Sequence, residues 1–453
     1  MALHIIDSEI YGQHFASPEI RKIFEEKSIV QDWIDFEVAL AEVQAELGLI
    51  PAEAAREIKA KGSLEHIKLE RIVEIYQQTM LASVALIRAF REVCPEGAGE
   101  YIHYGATTQD IFDTTLAYRL KKVMNIFEQD LLDIQSRLND LANVHRDTLM
   151  PGITHGQHAL PITFGFNAAI WSDMVAKHME RFQEARKRIL VGTVSGAVGN
   201  LSSFYFLFGE KCYEMQKRVL QRFGLEVPKI SIQPQIERWT EFLQLLSLMS
   251  VTFEKIADEI FLFQRNEFAQ LEEPFDTEKQ ISSSTMPQKR NPNRCEFIKA
   301  LAKKIRSNTH GFSEIYMREL RDHSPFYLED LTIPETTLLA STMLNHAKFV
   351  LQGLTIKKEN MKRNLGISQG LLMAEPLMLA LSKKTGKKEN GFALIHQAAM
   401  QSFEKGIPFK ESIESFPEIN EYFTQEEIRG LLEPQNYLGL TDRLINDVIG
   451  HKS

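Results

Sequence analysis

The chain has 453 residues, 44% of them hydrophobic and 25% charged, with a formal net charge of −9. This is enough for two or three domains with sizeable cores, in the composition of an ordinary soluble globular protein. The negative balance argues against nucleic acid or an anionic membrane as the main partner. Cys94, Cys212 and Cys295 are too few and too scattered for a disulfide framework or a zinc site, so reduced thiols are expected. The start, MALHIIDSEIYGQ, lacks the basic and apolar blocks of a signal peptide. No apolar run approaches the roughly 20 residues that span a bilayer. A cytoplasmic protein is therefore expected, with no nucleic-acid and no membrane partner.

Helical spacing dominates the chain. Residues 18–48 carry Ile20, Ile23, Phe24, Trp33, Phe36, Val38, Leu40 and Leu47 at helical intervals, punctuated by Gly48 and Pro51. A second helix is predicted over Leu69–Val93, stopping at Cys94-Pro95. In Tyr101–Asp113, YIHYGATTQDIFD, Gly105 allows a tight turn, and Thr107 or Thr108 can cap a helix from about Ile111 to Val144. Hydroxyls beside a helix N-terminus favour a carboxylate, although plain capping is the simpler account of them taken alone.

Met150–Gly165, MPGITHGQHALPITFG, offers His155 and His158, and a lone histidine is more often structural than catalytic. The following helix runs through Ala169, Trp171, Val175 and His178. Val194–Asn200, VSGAVGN, is a glycine-punctuated turn without Walker or Rossmann spacing. Residues 239–271 read as a long buried helix on which Leu243, Leu245, Leu246, Leu248, Val251 and Phe253 wrap more than one face. Long helices at 111–144, 162–190, 239–271 and 293–319 leave room for little but a bundle, and their excess apolar surface points to packing between subunits. Towards the C-terminus, Gly386 within Lys383–Lys388 marks a solvated turn.

The densest chemistry lies in Ser282–Pro292, SSSTMPQKRNP. Asn291-Pro292 reads as a helix start, with Asn291 as N-cap and Pro292 at the first helical position. Lys289 and Arg290 then flank a helix N-terminus that favours an anion, and Ser283 and Ser284 sit just upstream on a mobile loop. A solvated loop is the plain alternative.

The string Ser283-Ser284-Thr285-Met286-Pro287-Gln288-Lys289-Arg290-Asn291 resembles the loop signature of the fumarase/aspartase superfamily. There, two serines precede x-Met-Pro-x-Lys-x-Asn, usually after a glycine where this chain has Ser282. GATTQD resembles the first active-site segment of that superfamily, with Thr107-Thr108 where Thr-Ser is common. Thr154-His155 resembles the second segment. FASPEIRKIF at 15–24 resembles the opening of the adenylosuccinate-lyase and cycloisomerase branches. NYLG, from Asn436, is closer to the 3-carboxy-cis,cis-muconate cycloisomerase branch.

The resemblance spans nearly the whole chain and implies an all-α, three-domain fold of the fumarase/aspartase type. Its parts would be an N-terminal helical domain (1–108), a central bundle of long helices (109–355) with a catalytic loop at about 272–292, and a C-terminal helical domain (356–453). It further implies a homotetramer with active sites shared among three chains, a small dicarboxylate-type substrate, and neither metal nor organic cofactor.

The implied reaction is anti elimination from a succinyl group, through a doubly charged aci-carboxylate that needs preorganised donors. Ser283 would be the base and His155 the acid or leaving-group orienter, with His158 the second candidate. Thr107, Thr108 and Thr154 would hold substrate carboxylates, and Lys289 and Asn291 would stabilise the charge. The resemblance also assigns His103, Gln157, Gln233, Ser284, Met286 and Arg321 to the substrate. Arg321, Asp322 and Ser324 are similar to a nucleotide-contacting segment of adenylosuccinate lyases. Phe326 and Asp330, however, stand where those enzymes carry a serine and an arginine for the phosphate, and Met80-Leu81-Ala82 stands for their Arg-His-Asp. The expected activity is cleavage of a C–N bond in an N-substituted or amino-succinate, releasing fumarate, with adenylosuccinate itself disfavoured unless His103, Arg21 or Arg321 supplies another phosphate clamp. A carboxymuconate-type cycloisomerase is the second reading, and a non-catalytic structural protein reusing the fold is the third.

Overall fold

A computed structural model describes residues 4–386 and 388–450. Lys387 of the lysine-rich turn and the opening Met1-Ala2-Leu3 lie outside them. The chain forms two compact units. One takes the described residues up to Asp130 with His178–Val251 and Ala300–Asn345; the other takes Leu131–Lys177, Thr252–Lys299 and the described residues from His346 onward.

Helices account for nearly all regular structure among the described residues, as the all-α expectation has it. The four long helices run Thr108–Val144, Phe164–Ile189, Glu237–Gln264 and Asn293–Ser313, and a fifth, Ser324–Gln352, carries Pro334 in its interior. Two ends fall short of expectation: the third helix stops at Gln264 and the fourth at Ser313. Among the described residues no single helix is long and apolar enough to cross a membrane.

In the first unit, Ser17 caps the Pro18–Phe24 helix by accepting from the Ile20 amide at 3.2 Å. Thr342 and Ser341 then accept the Ala16 and Ser17 amides at 2.6 and 3.1 Å, pinning this N-terminal segment to the Ser324–Gln352 helix. Helices Glu26–Glu46, Ala52–Lys61, Leu69–Thr79 and Ala82–Val93 share a core in which Ile34, Ile58, Leu86 and Phe90 are fully buried. Burying each such side chain stabilises the unit by about 1.5–3 kcal/mol.

The single helix predicted over Leu69–Val93 is in fact two. Met80 adopts φ 54 and ends the first helix, its amide reaching Tyr76 O at 2.7 Å, and Leu81 is extended before the next begins. A left-handed non-glycine residue costs about 1–2 kcal/mol and leaves no mark in the hydrophobic pattern.

The second unit contains the strands that helical periodicity conceals. Leu149–Thr154 pairs antiparallel with Gln157–Thr163, with a register shift between Pro151 and Ile153. Leu271–Glu272 pairs with Thr355–Ile356. Trp171, fully buried, donates its indole N–H to Glu259 at 2.7 Å. The C-terminal helices close over Leu377, Leu381, Ile395, Phe409, Ile413 and Ile428. The three cysteines are free thiols, Cys212 and Cys295 buried and Cys94 half-buried.

Replacing Phe90, 0% exposed, with alanine leaves a ring-sized void in the first unit. Phe90→Ala is expected to lower stability by about 3–5 kcal/mol, read by denaturant unfolding. A loss under about 1 kcal/mol would mean that the site collapses freely and that this core is not close-packed.

Candidate active site

The predicted residues fall into two groups, one in each unit. In the first unit the organising group is Asp110, which the motif reading passed over. Asp110 is fully buried, and its carboxylate accepts the Thr107 amide at 3.0 Å, the Ser195 amide at 2.8 Å and the Gly196 amide at 3.1 Å. Thr107 thus precedes the helix Thr108–Val144 with Asp110 folded back onto its N–H, half of a capping box. The spacing Thr107-x-x-Asp110 is the signal that finds it in the sequence. Burial raises the Asp110 carboxyl pKa, against the pull of those three N–H donors.

The turn that Asp110 grips, Ser195–Val198, holds two further predicted residues. Gln233 donates to Gly196 O at 3.0 Å, and Arg321 donates to Gln233 Oε1. Arg321 also donates to Ala197 O at 3.0 Å, Val198 O at 2.8 Å and Ser231 Oγ at 3.2 Å, from a left-handed backbone at φ 54. Its two Nη groups are thereby engaged by the turn. Ser203 donates to Gly105 O at 2.6 Å, and any side chain at Gly105, φ 85, would meet the Phe204 ring at 2.7 Å. The Thr108 hydroxyl pairs with Ser83 Oγ at 2.7 Å.

His103 stands beside this turn at φ 62, its amide and its Nδ1 bonded to Glu37 at 2.8 and 2.7 Å. Glu37 is 1% exposed and had no sequence signal beyond its place in a helix.

A cavity of about 520 Å³ opens on Thr108 in the same unit. Ala82, Phe326 and Asp330, three of the positions at which the sequence departs from a phosphate-binding pattern, lie together on its wall.

In the second unit, Thr154 and Gln157 close the strand pairing around a two-residue turn, His155 at φ 51 and Gly156 at φ 77. Both central residues being left-handed is the turn that suits the twist of a hairpin. Thr154, His155 and Gln157 are exposed at its tip, and their side chains have no hydrogen-bond partner among the described residues. His158 sits one residue further in, and burial lowers its pKa.

The serine loop is tied at its neck. Ser282, in the place of the usual glycine, donates to Lys289 O and accepts the Asn291 amide at 3.1 Å. Asn291 donates its side-chain amide to Ser282 O at 2.7 Å. Inside this neck, Ser283 Oγ accepts the Met286 amide at 3.0 Å and the Thr285 amide at 3.4 Å. Ser284, Met286 and Lys289 are exposed, and the Lys289 ammonium has no partner among the described residues. Arg290 turns away to Glu272 at 2.9 Å.

The helix start differs from expectation. The Asn293–Ser313 helix is capped by Glu273, whose carboxylate accepts the Arg294 and Cys295 amides at 3.0 and 3.1 Å. Asn291 is occupied by Ser282, and the anion that this N-terminus attracts is the protein's own. Burial raises the Glu273 pKa against the pull of those amides. Nothing in the spacing of Glu273, some twenty residues upstream, announces that contact.

The His103–Glu37 pair gives a pH dependence with a definite sign. Burial pulls the imidazole pKa down, but the Glu37 charge and hydrogen bond outweigh it, so the net shift is upward. A raised histidine contributes stability that is complete below its unfolded pKa of about 6.5 and is lost as pH rises through the folded value. Glu37→Gln is expected to flatten this decline in a series of thermal unfolding curves across neutral pH. An unchanged slope would show that His103 is not held protonated by Glu37.

Comparison with known proteins follows the same segments. The family described as "Lyase" matches residues 13–307, and "Adenylosuccinate lyase C-terminus" matches residues 370–448. The chain is 40% identical to an adenylosuccinate lyase of Methanocaldococcus jannaschii, over 99% of this chain and 96% of the relative. It is 34% identical to an N-acetyl-S-(2-succino)cysteine lyase of Dickeya dadantii, over 99% and 98%. A solved structure of a fumarate lyase from Mesorhizobium sp. BNC1 superposes with a TM-score of 0.87 at 32% identity, covering 96% of this chain and 98% of that one.

Proposed function

The chain belongs to the lyase family that includes adenylosuccinate lyases, a family of fumarate-releasing enzymes, and from that premise we propose the division of labour within its site. The substrate is an N-substituted succinate, cleaved by anti elimination into fumarate and an amine. Two relatives alike over their full length act on different compounds, an adenylosuccinate and an N-acetyl-S-(2-succino)cysteine. What their names share is the succino group. The leaving group is the part that varies, and Phe326, Asp330 and Met80-Leu81-Ala82 disfavour AMP as the leaving group here.

Ser283 removes the proton from the carbon beside the substrate carboxylate. The single observation that carries this role is the pair of backbone N–H groups on Ser283 Oγ, from Met286 and Thr285. A serine hydroxyl is far too weak a base alone, and N–H donors aimed at its oxygen favour the alkoxide. Lys289, with its charge unspent, and Asn291 stabilise the doubly charged aci-carboxylate that forms. As the C–N bond breaks, its electron pair leaves with nitrogen, which takes a proton from His155. Thr154, Gln157, Ser284 and Met286 bind the succinyl part from the second unit's segments; His103, Thr107, Thr108, Gln233 and Arg321 bind it from the first. Each of these segments is on a different stretch of the chain, which accords with sites assembled from three chains of a homotetramer. Leu248 and Val251, 49% and 51% exposed on a helix otherwise rich in buried leucines, supply apolar surface for that assembly. The reduced thiols accord with a cytoplasmic enzyme.

Ser283→Ala is expected to leave folding and substrate affinity intact and to lower turnover by several orders of magnitude, measured by fumarate release from N-succino amines. Turnover within about tenfold of the parent would remove Ser283 as base, since such a loss is only about 1.4 kcal/mol of barrier. Mixing inactive His155→Ala and Lys289→Ala chains is expected to restore activity in hybrid oligomers. Hybrids that form but stay inactive would exclude shared sites.

A further inference from the structure

The 520 Å³ cavity is the size of a small-molecule site, and its lining is unusual for an enzyme of anionic substrates. Its walls are aromatic: Trp33 and Phe112, with ring centroids 4.9 Å apart, together with Tyr76 and Phe326. Its charges are mostly acidic. Of its lining charges, Arg119 lies 4.0 Å from Asp32, which Lys122 also holds at 2.9 Å, and Asp113 is held by Arg238 at 3.0 Å; Asp32, Lys122 and Arg238 are not themselves on the wall. Glu26, Glu329 and Asp330 also line the cavity and have no ion pair among the described residues. Glu329 is 5% exposed, and its Oε1 is buried with no hydrogen-bond partner. Such an atom costs free energy unless something occupies the cavity beside it.

We propose that this cavity receives the leaving group of the substrate and selects one with a cationic amine on an aromatic or apolar body, with Glu329 and Asp330 as the determinants of that choice. Two physical arguments carry it. Aromatic faces attract an ammonium and hold an apolar body, and carboxylates without a direct ion pair attract the same cation. A phosphate dianion meets acidic groups at its place of entry, and in Arg119 a cation that already faces Asp32 and Asp330. Burial, reinforced by Asp113 and Asp330 against the pull of Arg238, raises the Glu329 pKa well above the usual carboxylate range, as carboxyls crowded together away from water do. An ammonium beside Glu329 relieves that repulsion. Thr108, also on the wall, links the cavity to the segment assigned to the succinyl carboxylates.

The proposal rests on the elimination reading, so binding is measured apart from chemistry. The probes are 1,4-bis(aminomethyl)benzene, with a second ammonium, and benzylamine, without one. Calorimetry without fumarate is expected to show the diamine binding at least about tenfold tighter than benzylamine and tighter than AMP. Asp330→Asn, at an exposed position, should cut that preference at least threefold, and Glu329→Gln should do the same. Equal binding of the two amines, tighter binding of AMP, or a preference untouched by both variants overturns the proposal. The same amines are then added to fumarate. If the diamine binds as expected but neither amine adds, the elimination reading fails while the pocket assignment stands; if both add at equal kcat/KM, the selective role of the pocket fails while elimination stands.

Discussion

The candidate site residues of the first unit depend on one buried carboxylate. Asp110 gathers three backbone amides from two places far apart in sequence, Thr107 before the long helix and Ser195-Gly196 in the turn. Hydrogen bonds to a charged acceptor are the strong ones, and here each also satisfies an amide that burial would otherwise leave costly. Once the turn is fixed, its carbonyls fix Gln233 and Arg321, so the order of the assembly runs from Asp110 outward. Thr114 reinforces it from the next turn of the helix, trading hydrogen bonds with the backbone of Thr193 at 2.6 and 2.9 Å.

The second unit solves a similar problem with Glu273. In both places a helix N-terminus near predicted site residues is occupied by an internal carboxylate. The dipole is therefore satisfied before any ligand arrives. In the proposed reading, recognition of an anionic substrate then falls to side chains and loop amides such as those on Ser283 Oγ and the charge of Lys289. The Ser282 neck ties the loop at its base while leaving Ser284 to Lys289 exposed.

Much of the fold was legible because helical periodicity is a strong signal over twenty residues or more. The long helices at Thr108–Val144 and Phe164–Ile189 lie within three residues of where apolar spacing put them. The break at Met80 and the hairpin around His155 were not legible. The first uses a left-handed methionine where glycine would be the sign, and the second uses His-Gly where Asn-Gly or Asp-Gly is the usual signal. For the candidate site, motif spacing singled out segments whose tips at His155 and residues 284–289 are exposed. It was silent on Glu37, Glu273 and Glu329, because a carboxylate that matters only through a distant tertiary contact carries no local pattern. Asp110 is the intermediate case, visible as half of a capping box but not as the grip on a turn some 85 residues away.

The most direct test of this account is hydrogen exchange at the Ser195 and Gly196 amides in an Asp110→Asn variant. The account predicts that at least one of the two amides loses protection, since they bond to different carboxylate oxygens and a neutral amide side chain offers only one acceptor oxygen, while the Asn291 amide at the loop neck keeps its protection. Ser195 and Gly196 amides as protected as in the parent chain would contradict it, and the turn would then owe its position to something other than the buried carboxylate.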